Sequence, residues 1–220
     1  MPDIVLLCSV HKDNGKCSSK ELVRILELIK PDVLFQEVSY TEHSGNDSIL
    51  EIRAIAEYLT RNSLQQIPVD TLGGSAIENE NLDPVIKRVS RISPTYRSAW
   101  DNYIHPFENT RGFEYLNSRL SDYMLRQVDS IITTALEQLN DAGLLKVYAE
   151  WKLYNSQRED AMVRNVYEFC RFNDFKKGVF LFGSAHRLSL IRKIQAVKRT
   201  EKVRVNWRLN YGQDKLLPAS

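Results

Sequence analysis

Two short segments near opposite ends of the chain share almost the same pattern. Residues 5–11 read VLLCSVH and residues 180–186 read FLFGSAH. Each is an apolar run typical of a buried strand, followed by a small residue, a serine, another small residue and a histidine. Because open α/β sheets bind ligands just beyond the carboxyl ends of their strands, the pattern predicts His11 and His186 at such an edge.

A carboxylate closes a third apolar run. Residues 33–36 read VLFQ, and Glu37 follows them. A charge at the end of a strand buried on both faces is costly unless a histidine, an arginine or a metal pairs with it. If the three strands are neighbours in a parallel sheet, His11, Glu37 and His186 converge. Two imidazoles and a carboxylate can activate water or hold a divalent Mn, Co or Zn ion, and the sequence leaves both options open.

The order of the segments predicts an α/β fold with a mainly parallel central sheet flanked by helices. The predicted strands are residues 4–9, 33–38, 66–70, 178–182 and 203–209. Amphipathic helices that begin near Ser18 and at Ile49 connect the first three strands. We expect a single domain over residues 1–220, in which a helical insertion at about 82–154 covers the carboxyl edge of the sheet.

The insertion contains several helix signals. At Asp83-Pro84 and at Ser93-Pro94 a capping residue precedes a proline, which is typical of a helix start. Apolar residues recur every three or four positions over residues 113–139, which predicts one long helix or two helices broken near the middle. Beyond the insertion, a separate helix is predicted over about residues 157–172.

Arg158 stands in the first turn of that last predicted helix, followed by Glu159 and Asp160. A cation at this position opposes the helix dipole, whereas the two acids agree with it. The sequence therefore suggests that Arg158 faces an anion, which is either Glu37 or a substrate carboxylate. A solvent-facing arginine fits the pattern as well, because the cost of the unfavourable position is small.

Four further polar residues are candidates for substrate binding at the same edge. Ser9 and Ser184 each precede one of the two histidines by two positions. Asp70 ends the third predicted strand, where it either lines the pocket or caps the following turn. His43 lies in a polar loop just beyond Glu37, and a surface histidine is the alternative interpretation for it.

The composition excludes some classes of partner. The net charge is +2, from 30 basic and 28 acidic residues, so the chain as a whole gives no electrostatic case for binding nucleic acid or a membrane. Three cysteines fit a reducing compartment, and the first residues lack a signal-peptide pattern, so we expect a cytoplasmic protein. The expected partner is a small-molecule or peptide substrate, and the oligomeric state stays open.

Four motifs occur in an order that resembles a known superfamily. They are CSVH at residues 8–11, Glu37, REDAM at residues 158–162 and GSAH at residues 183–186. The superfamily unites TraB and PrgY proteins, Tiki proteases, erythromycin esterases and the haem-binding ChaN proteins. The resemblance implies an active centre of two histidines and a glutamate beneath a variable helical insertion. Cys8 stands where the first motif has glycine. If that glycine allows the backbone to approach closely, the larger cysteine side chain narrows the site.

The residues and the resemblance together predict a hydrolase of an ester, lactone or peptide bond. In this hypothesis His11 or His186 takes a proton from water, Glu37 orients the imidazole or binds a metal, and Arg158 steadies negative charge. The resemblance implies a metal in Tiki-like members and direct activation of water by a histidine in esterase-like members. The alternatives are a ChaN-like protein that binds haem or another small ligand, and a regulatory member without turnover.

Overall fold

A parallel sheet forms the centre of the protein. The computed structural model describes residues 1–37, 49–70, 76–209 and 211. The strands in this part of the chain are β1 (Asp3–Ser9), β2 (Val33–Gln36), β3 (Gln65–Pro68), β4 (Lys177–Gly183) and β5 (Asn206–Arg208). They pair in the order β3-β2-β4-β1-β5, and every pair is parallel. The predicted α/β fold with a parallel sheet is confirmed.

The register of the sheet aligns the ends of three strands. β4 lies between β1 and β2, so the two segments with similar sequences are direct neighbours. Ser9 pairs with Gly183, and Gln36 pairs with Leu181. The next residue after β2 is Glu37, whose N–H donates to the Leu181 carbonyl at 3.1 Å. The chain therefore delivers both histidine turns and the glutamate to the same edge.

Helices flank the sheet and connect its strands. Their bounds are α1 (Ser19–Ile29), α2 (Leu50–Leu59), α3 (Ala76–Ile92), α4 (Pro94–Ala99), a π-helix (Trp100–Ile104), α5 (His105–Arg111), α6 (Phe113–Leu116), α7 (Arg119–Gln138), α8 (Ala142–Phe172) and α9 (Arg187–Thr200). Ser18 caps α1, and α1 packs on α2 while α8 packs on α9. Over the described residues, no helix combines the length and the apolar character required to cross a bilayer.

One of the two predicted helix starts is wrong. Ser93 caps α4 by accepting a hydrogen bond from the Tyr96 N–H at 3.1 Å, and Pro94 is the first helical residue, as predicted. Pro84, however, lies inside α3. A proline in a helix removes one backbone hydrogen bond. The helix continues because its apolar face is anchored in the core: Leu82 before the proline is partly buried, and Val85 and Val89 after it are fully buried.

The long helix predicted over residues 113–139 is broken, but near its start. α6 ends at Leu116 and α7 begins at Arg119, with Ser118 as its cap. The break places the Asn117 side chain against β1: its Oδ1 accepts from the Cys8 N–H at 2.8 Å and its Nδ2 donates to the Cys8 carbonyl at 3.2 Å. β5 pairs with β1 only up to Val5. Asn117 thus supplies the hydrogen bonds that a longer neighbouring strand would have made.

The helix predicted over about residues 157–172 begins earlier than expected. α8 starts at Ala142, where Asp141 caps it by accepting from the Leu144 N–H at 3.0 Å. Residues 157–172 are only its second half. Arg158 therefore lies in a helix interior, and the predicted conflict with the helix dipole is wrong because that dipole acts on the first and last turns.

Replacing Asn117 with alanine should destabilise the protein by about 2–4 kcal/mol, because two buried backbone groups of Cys8 lose their partner. Urea unfolding measures the difference. Asn102→Ala is the matched control, since Asn102 is exposed, and its effect should stay within about 0.5 kcal/mol. Equal effects of the two variants would show that the Asn117 side chain does not hold β1.

Candidate active site at the carboxyl edge of the sheet

A buried carboxylate lies at the centre of this edge. The Glu37 side chain is 7% exposed, and its Oε2 accepts the Gly183 N–H at 2.8 Å. Its Oε1 lies 3.0 Å from Arg158 Nη2 and 3.3 Å from His186 Nε2. Burial alone would raise the pKa of Glu37, but the charge and hydrogen bond of His186, the Gly183 amide and Arg158 hold that pKa well below its usual range. Glu37 is therefore ionised at neutral pH.

His186 bridges two carboxylates. It ends the 3₁₀ turn Ser184–His186, and its Nδ1 lies 2.8 Å from Glu159 Oε1 while Nε2 faces Glu37. The Ser189 hydroxyl donates to the other oxygen of Glu159. Burial would lower the pKa of His186, but the two carboxylates raise it to about 9. His186 is therefore an imidazolium at neutral pH, with an N–H directed at each carboxylate.

Arg158 is buried and faces carboxylates, not solvent. Its Nη2 contacts Glu37, its Nε and Nη2 donate to Asp70 Oδ2 at 2.9 and 2.6 Å, and its Nη1 donates to Asn155 Oδ1 at 2.9 Å. Of the two anions considered from the sequence, the structure places Glu37 beside it, together with Asp70. The guanidinium lies between the two buried carboxylates and, together with His186, supplies their counter-charges.

His11 differs from His186 in its surroundings. Its side chain is 52% exposed, whereas its partner Glu51 is 6% exposed. The Nδ1 atom lies 3.1 Å from Glu51 Oε1, which also accepts from the Ser9 hydroxyl at 2.5 Å. The hydrogen bond with Glu51 raises the pKa of His11 above its ordinary value; burial and His186 oppose the shift, and the charges of Glu51 and Glu37 add to it.

Gly183 lies close to both His11 and Glu37, and it has no side chain that would come between them. A Cβ atom at this position would lie 3.5 Å from His11 Nε2 and 3.5 Å from Glu37 Oε2. Both atoms thus face the same point beside the Gly183 backbone. His11 presents Nε2 to this point because Nδ1 is held by Glu51 on the far side of the ring.

A small cavity at the end of β2 has about the size of one water molecule. Its volume is about 10 Å³, and Gln36, Glu37 and Glu51 line it. Gln36 Oε1 and Glu51 Oε2 have no hydrogen-bond partner among the described residues. Two buried acceptors next to a cavity of this volume fit a bound water that donates to them.

The structure gives no support to a metal centre formed by His11, Glu37 and His186. Within residues 1–37, 49–70, 76–209 and 211, no three His, Cys, Asp or Glu side chains are arranged to hold a metal ion. Both ring nitrogens of His186 face carboxylate oxygens, and both oxygens of Glu37 accept hydrogen bonds from protein groups. A Mn, Co or Zn ion would have to displace these contacts.

The four predicted substrate-binding residues have different positions. Ser9 is fully buried and its hydroxyl holds Glu51, so it does not face a ligand. Asp70 is paired with Arg158. Ser184 is half-buried, and its carbonyl accepts from the Arg187 N–H at the end of the 3₁₀ turn. His43 lies outside the described residues.

Cys8 is a buried strand residue and not part of the chemistry. Its side chain is fully buried, and burial raises the pKa of the thiol well above its usual value. A neutral thiol is neither a good nucleophile nor a metal ligand. The cysteine in place of the motif glycine therefore serves packing within β1.

Glu51 and Glu159, the carboxylates that hold the two histidines, are not among the site residues predicted from the sequence. A signal for both was present. Glu51 is four residues before Ile55 and seven before Tyr58, and those two residues are buried on the core face of α2. Glu159 has the same spacing to Val163 and Val166 on α8. A glutamate on the apolar face of a helix requires a buried partner.

Comparison of the chain with protein-family models, with curated proteins and with solved structures gives no match in any of the three.

Glu37→Gln should destabilise the protein by about 3 kcal/mol, because removing one member of a buried ion pair leaves Arg158 and His186 short of a counter-charge. Urea unfolding at neutral pH measures the effect. Glu27→Gln, at an exposed position, is the matched control and should change stability by less than about 0.5 kcal/mol. A stability unchanged in Glu37→Gln would contradict the ion-pair assignment.

The His186 contacts should also make stability depend on pH. Its pKa is about 9 in the folded protein, against about 6.5 for an unperturbed histidine. The stabilisation is therefore fully present below about pH 6.5 and is lost as the pH rises through about 9. Unfolding free energies between about pH 6 and pH 10 should fall more steeply for the wild type than for His186→Gln. Parallel curves, or an NMR titration of the His186 ring with an ordinary pKa, would contradict this.

Proposed function

We propose that this protein is a hydrolase of an ester, lactone or peptide bond, in which His11 is the general base. One observation carries the proposal: the exposed His11 ring is held through Nδ1 by the buried Glu51, while its Nε2 faces the point beside Gly183 that Glu37 also faces. A carboxylate that fixes one ring nitrogen and leaves the other free is the arrangement that general base catalysis by histidine requires.

The hydrogen bond with Glu51 sets the tautomer of His11. In the neutral ring, the proton stays on Nδ1 and is donated to Glu51, so the lone pair of Nε2 is available. A water beside Gly183 can donate one hydrogen to Nε2 and the other to Glu37 Oε2. As the oxygen of that water attacks the substrate carbonyl, its proton moves to Nε2 and His11 becomes an imidazolium stabilised by Glu51.

The second step returns this proton. The tetrahedral intermediate expels the leaving oxygen or nitrogen, which takes the proton from Nε2 of His11, and the neutral base is restored. His186 and Arg158 do not exchange protons in this scheme, because both stay charged and bound to carboxylates. Their role is to keep Glu37 ionised and fixed, so that it can orient the water.

The resemblance to the superfamily of TraB, Tiki, erythromycin esterase and ChaN proteins supports the same class of reaction. Among these, the proposal follows the esterase-like mode, in which a histidine activates water directly. Membership of the superfamily is part of the proposal, carried by the order of the motifs and by the convergence of His11, Glu37 and His186 at one edge.

His11→Gln should lower kcat/KM for generic p-nitrophenyl esters by about 10²-fold or more, which is the loss expected when a general base is removed. The melting temperature should change little, because the ring is half exposed. In the wild type, activity should rise with pH through a pKa above the ordinary histidine value, since only the neutral ring is a base. Glu51→Gln should move this rise to lower pH and reduce kcat, because the carboxylate that raises the pKa is lost.

Glu57→Gln is the control for Glu51→Gln, since Glu57 is exposed on the same helix, and its pH profile should match the wild type. Full activity of His11→Gln would refute the role of His11. A Soret band on titration with haem, combined with no turnover of any ester, would instead support the ChaN-like alternative.

A further inference from the structure

A cleft of about 590 Å³ lies between the helical insertion and the carboxyl edge of the sheet. This volume is within the range of small-molecule sites, about 300–1,000 Å³. α7 and α8 form its walls, α3 and α4 supply Leu82, Ile86 and Tyr96, and the start of α9 supplies Leu188. Most of the lining is apolar or aromatic.

The cleft is long. α8 lines it with residues at helical spacing from Tyr148 through Trp151 and Asn155 to Glu159. At about 1.5 Å per residue, this face extends over about 16 Å. Tyr148 and Trp151 stack on each other at 5.9 Å between ring centroids. An extended apolar group can therefore lie along α8, with aromatic rings beside one end and Glu159 beside the other.

The Glu159 end adjoins the proposed hydrolytic site. His186 and Ala185 line the cleft, and Ala185 is exposed two residues after Gly183. Because Gly183 is the point that His11 and Glu37 face, the cleft leads to the turn that carries the reacting groups.

The charges in the cleft suit an anion. Each acid that lines it already has a partner: Asp122 binds Arg187, Asp129 binds Tyr148 and Lys152, and Glu159 binds His186 and Ser189. Arg192, at the His186 end, is exposed and forms no ion pair with any residue that the structure describes. A carboxylate group at this end would have the guanidinium of Arg192 nearby.

The backbone of the helical insertion supports a ligand-binding role. Trp100, which lines the cleft, begins the π-helix Trp100–Ile104. π-Helical turns are rare and occur often at functional sites, because they distort a helix to place one side chain. The distortion falls on the segment that brings an indole to this cleft.

We infer that the cleft binds an extended aliphatic acyl chain, so that the natural substrate is an ester or amide of a medium- or long-chain fatty acid. The inference rests on the proposed hydrolase function for the reaction, but binding in the cleft does not depend on it. The acyl chain lies along α8, and its carbonyl end lies toward Ala185 and Gly183. The fatty acid that hydrolysis releases binds in the same place, with its carboxylate near Arg192.

Calorimetric titration with butyrate, hexanoate, octanoate and decanoate tests the binding without catalysis, since all four share the carboxylate. The dissociation constant should fall by about fourfold for each methylene that becomes buried. In parallel, kcat/KM should be higher for p-nitrophenyl decanoate than for the acetate. A dissociation constant independent of chain length, or no saturable binding, would overturn the inference.

Leu125→Trp places a bulky ring in the cleft and should weaken decanoate binding by about tenfold or more. Leu153→Trp is the matched control, since Leu153 is 61% exposed on α8 and does not line the cleft. Ile86→Trp serves the same purpose if Leu125→Trp does not fold, as judged by circular dichroism.

The two proposals fail separately. If decanoate binds, Leu125→Trp removes that binding and no ester is turned over, the acyl-cleft proposal is supported and the hydrolase proposal is refuted. If esters are turned over with no preference for chain length and decanoate does not bind, the hydrolase proposal is supported and the acyl-cleft proposal is refuted.

Discussion

A carboxylate buried at the end of a central strand costs free energy unless cations and N–H donors surround it. At Glu37 these partners come from the end of β4, from the turn that follows it and from the middle of α8. The segments are distant in sequence, so they meet only when β4 pairs with β2 and α8 brings Arg158 to this edge. The ion-pair network therefore links the strand order of the sheet to the position of α8, and the geometry of the candidate site depends on both.

The two similar histidine junctions acquire different properties from their surroundings. Each ring has its Nδ1 held by a glutamate from a helix, Glu51 for His11 and Glu159 for His186. The Nε2 of His186 meets the buried Glu37, which fixes a positive charge. The Nε2 of His11 opens toward the Gly183 backbone and its ring is half exposed, so this ring can gain and lose a proton. The two histidines follow the same motif, so their different properties come from burial and from the second carboxylate beside His186.

The positions of the strands were predictable from the sequence because apolar runs of that length and the polar residues after them are local signals. Their exact ends were not, since β2 ends at Gln36 and β3 at Pro68, each two residues before the predicted end. The convergence of His11, Glu37 and His186 followed from them once the strands were assumed to be parallel neighbours. The start of α8 and the continuation of α3 through Pro84 were not predictable, because packing in the core overrides local start signals. Asn117 was missed for a related reason: its side chain acts on Cys8, which lies 109 positions away. The partner carboxylates Glu51 and Glu159 were readable, as acids on apolar helix faces.

The hydrogen bonds between Asn117 and Cys8 also affect how this sheet meets other chains. Exposed strand edges are templates for aggregation, because their N–H and carbonyl groups can pair with any extended segment. β5 covers the first half of the outer edge of β1, and the Asn117 amide occupies both backbone groups at Cys8 in the second half. The side chain of one residue thus prevents β1 from recruiting a further strand beside the turn that carries His11, and it leaves that space to the helices of the insertion.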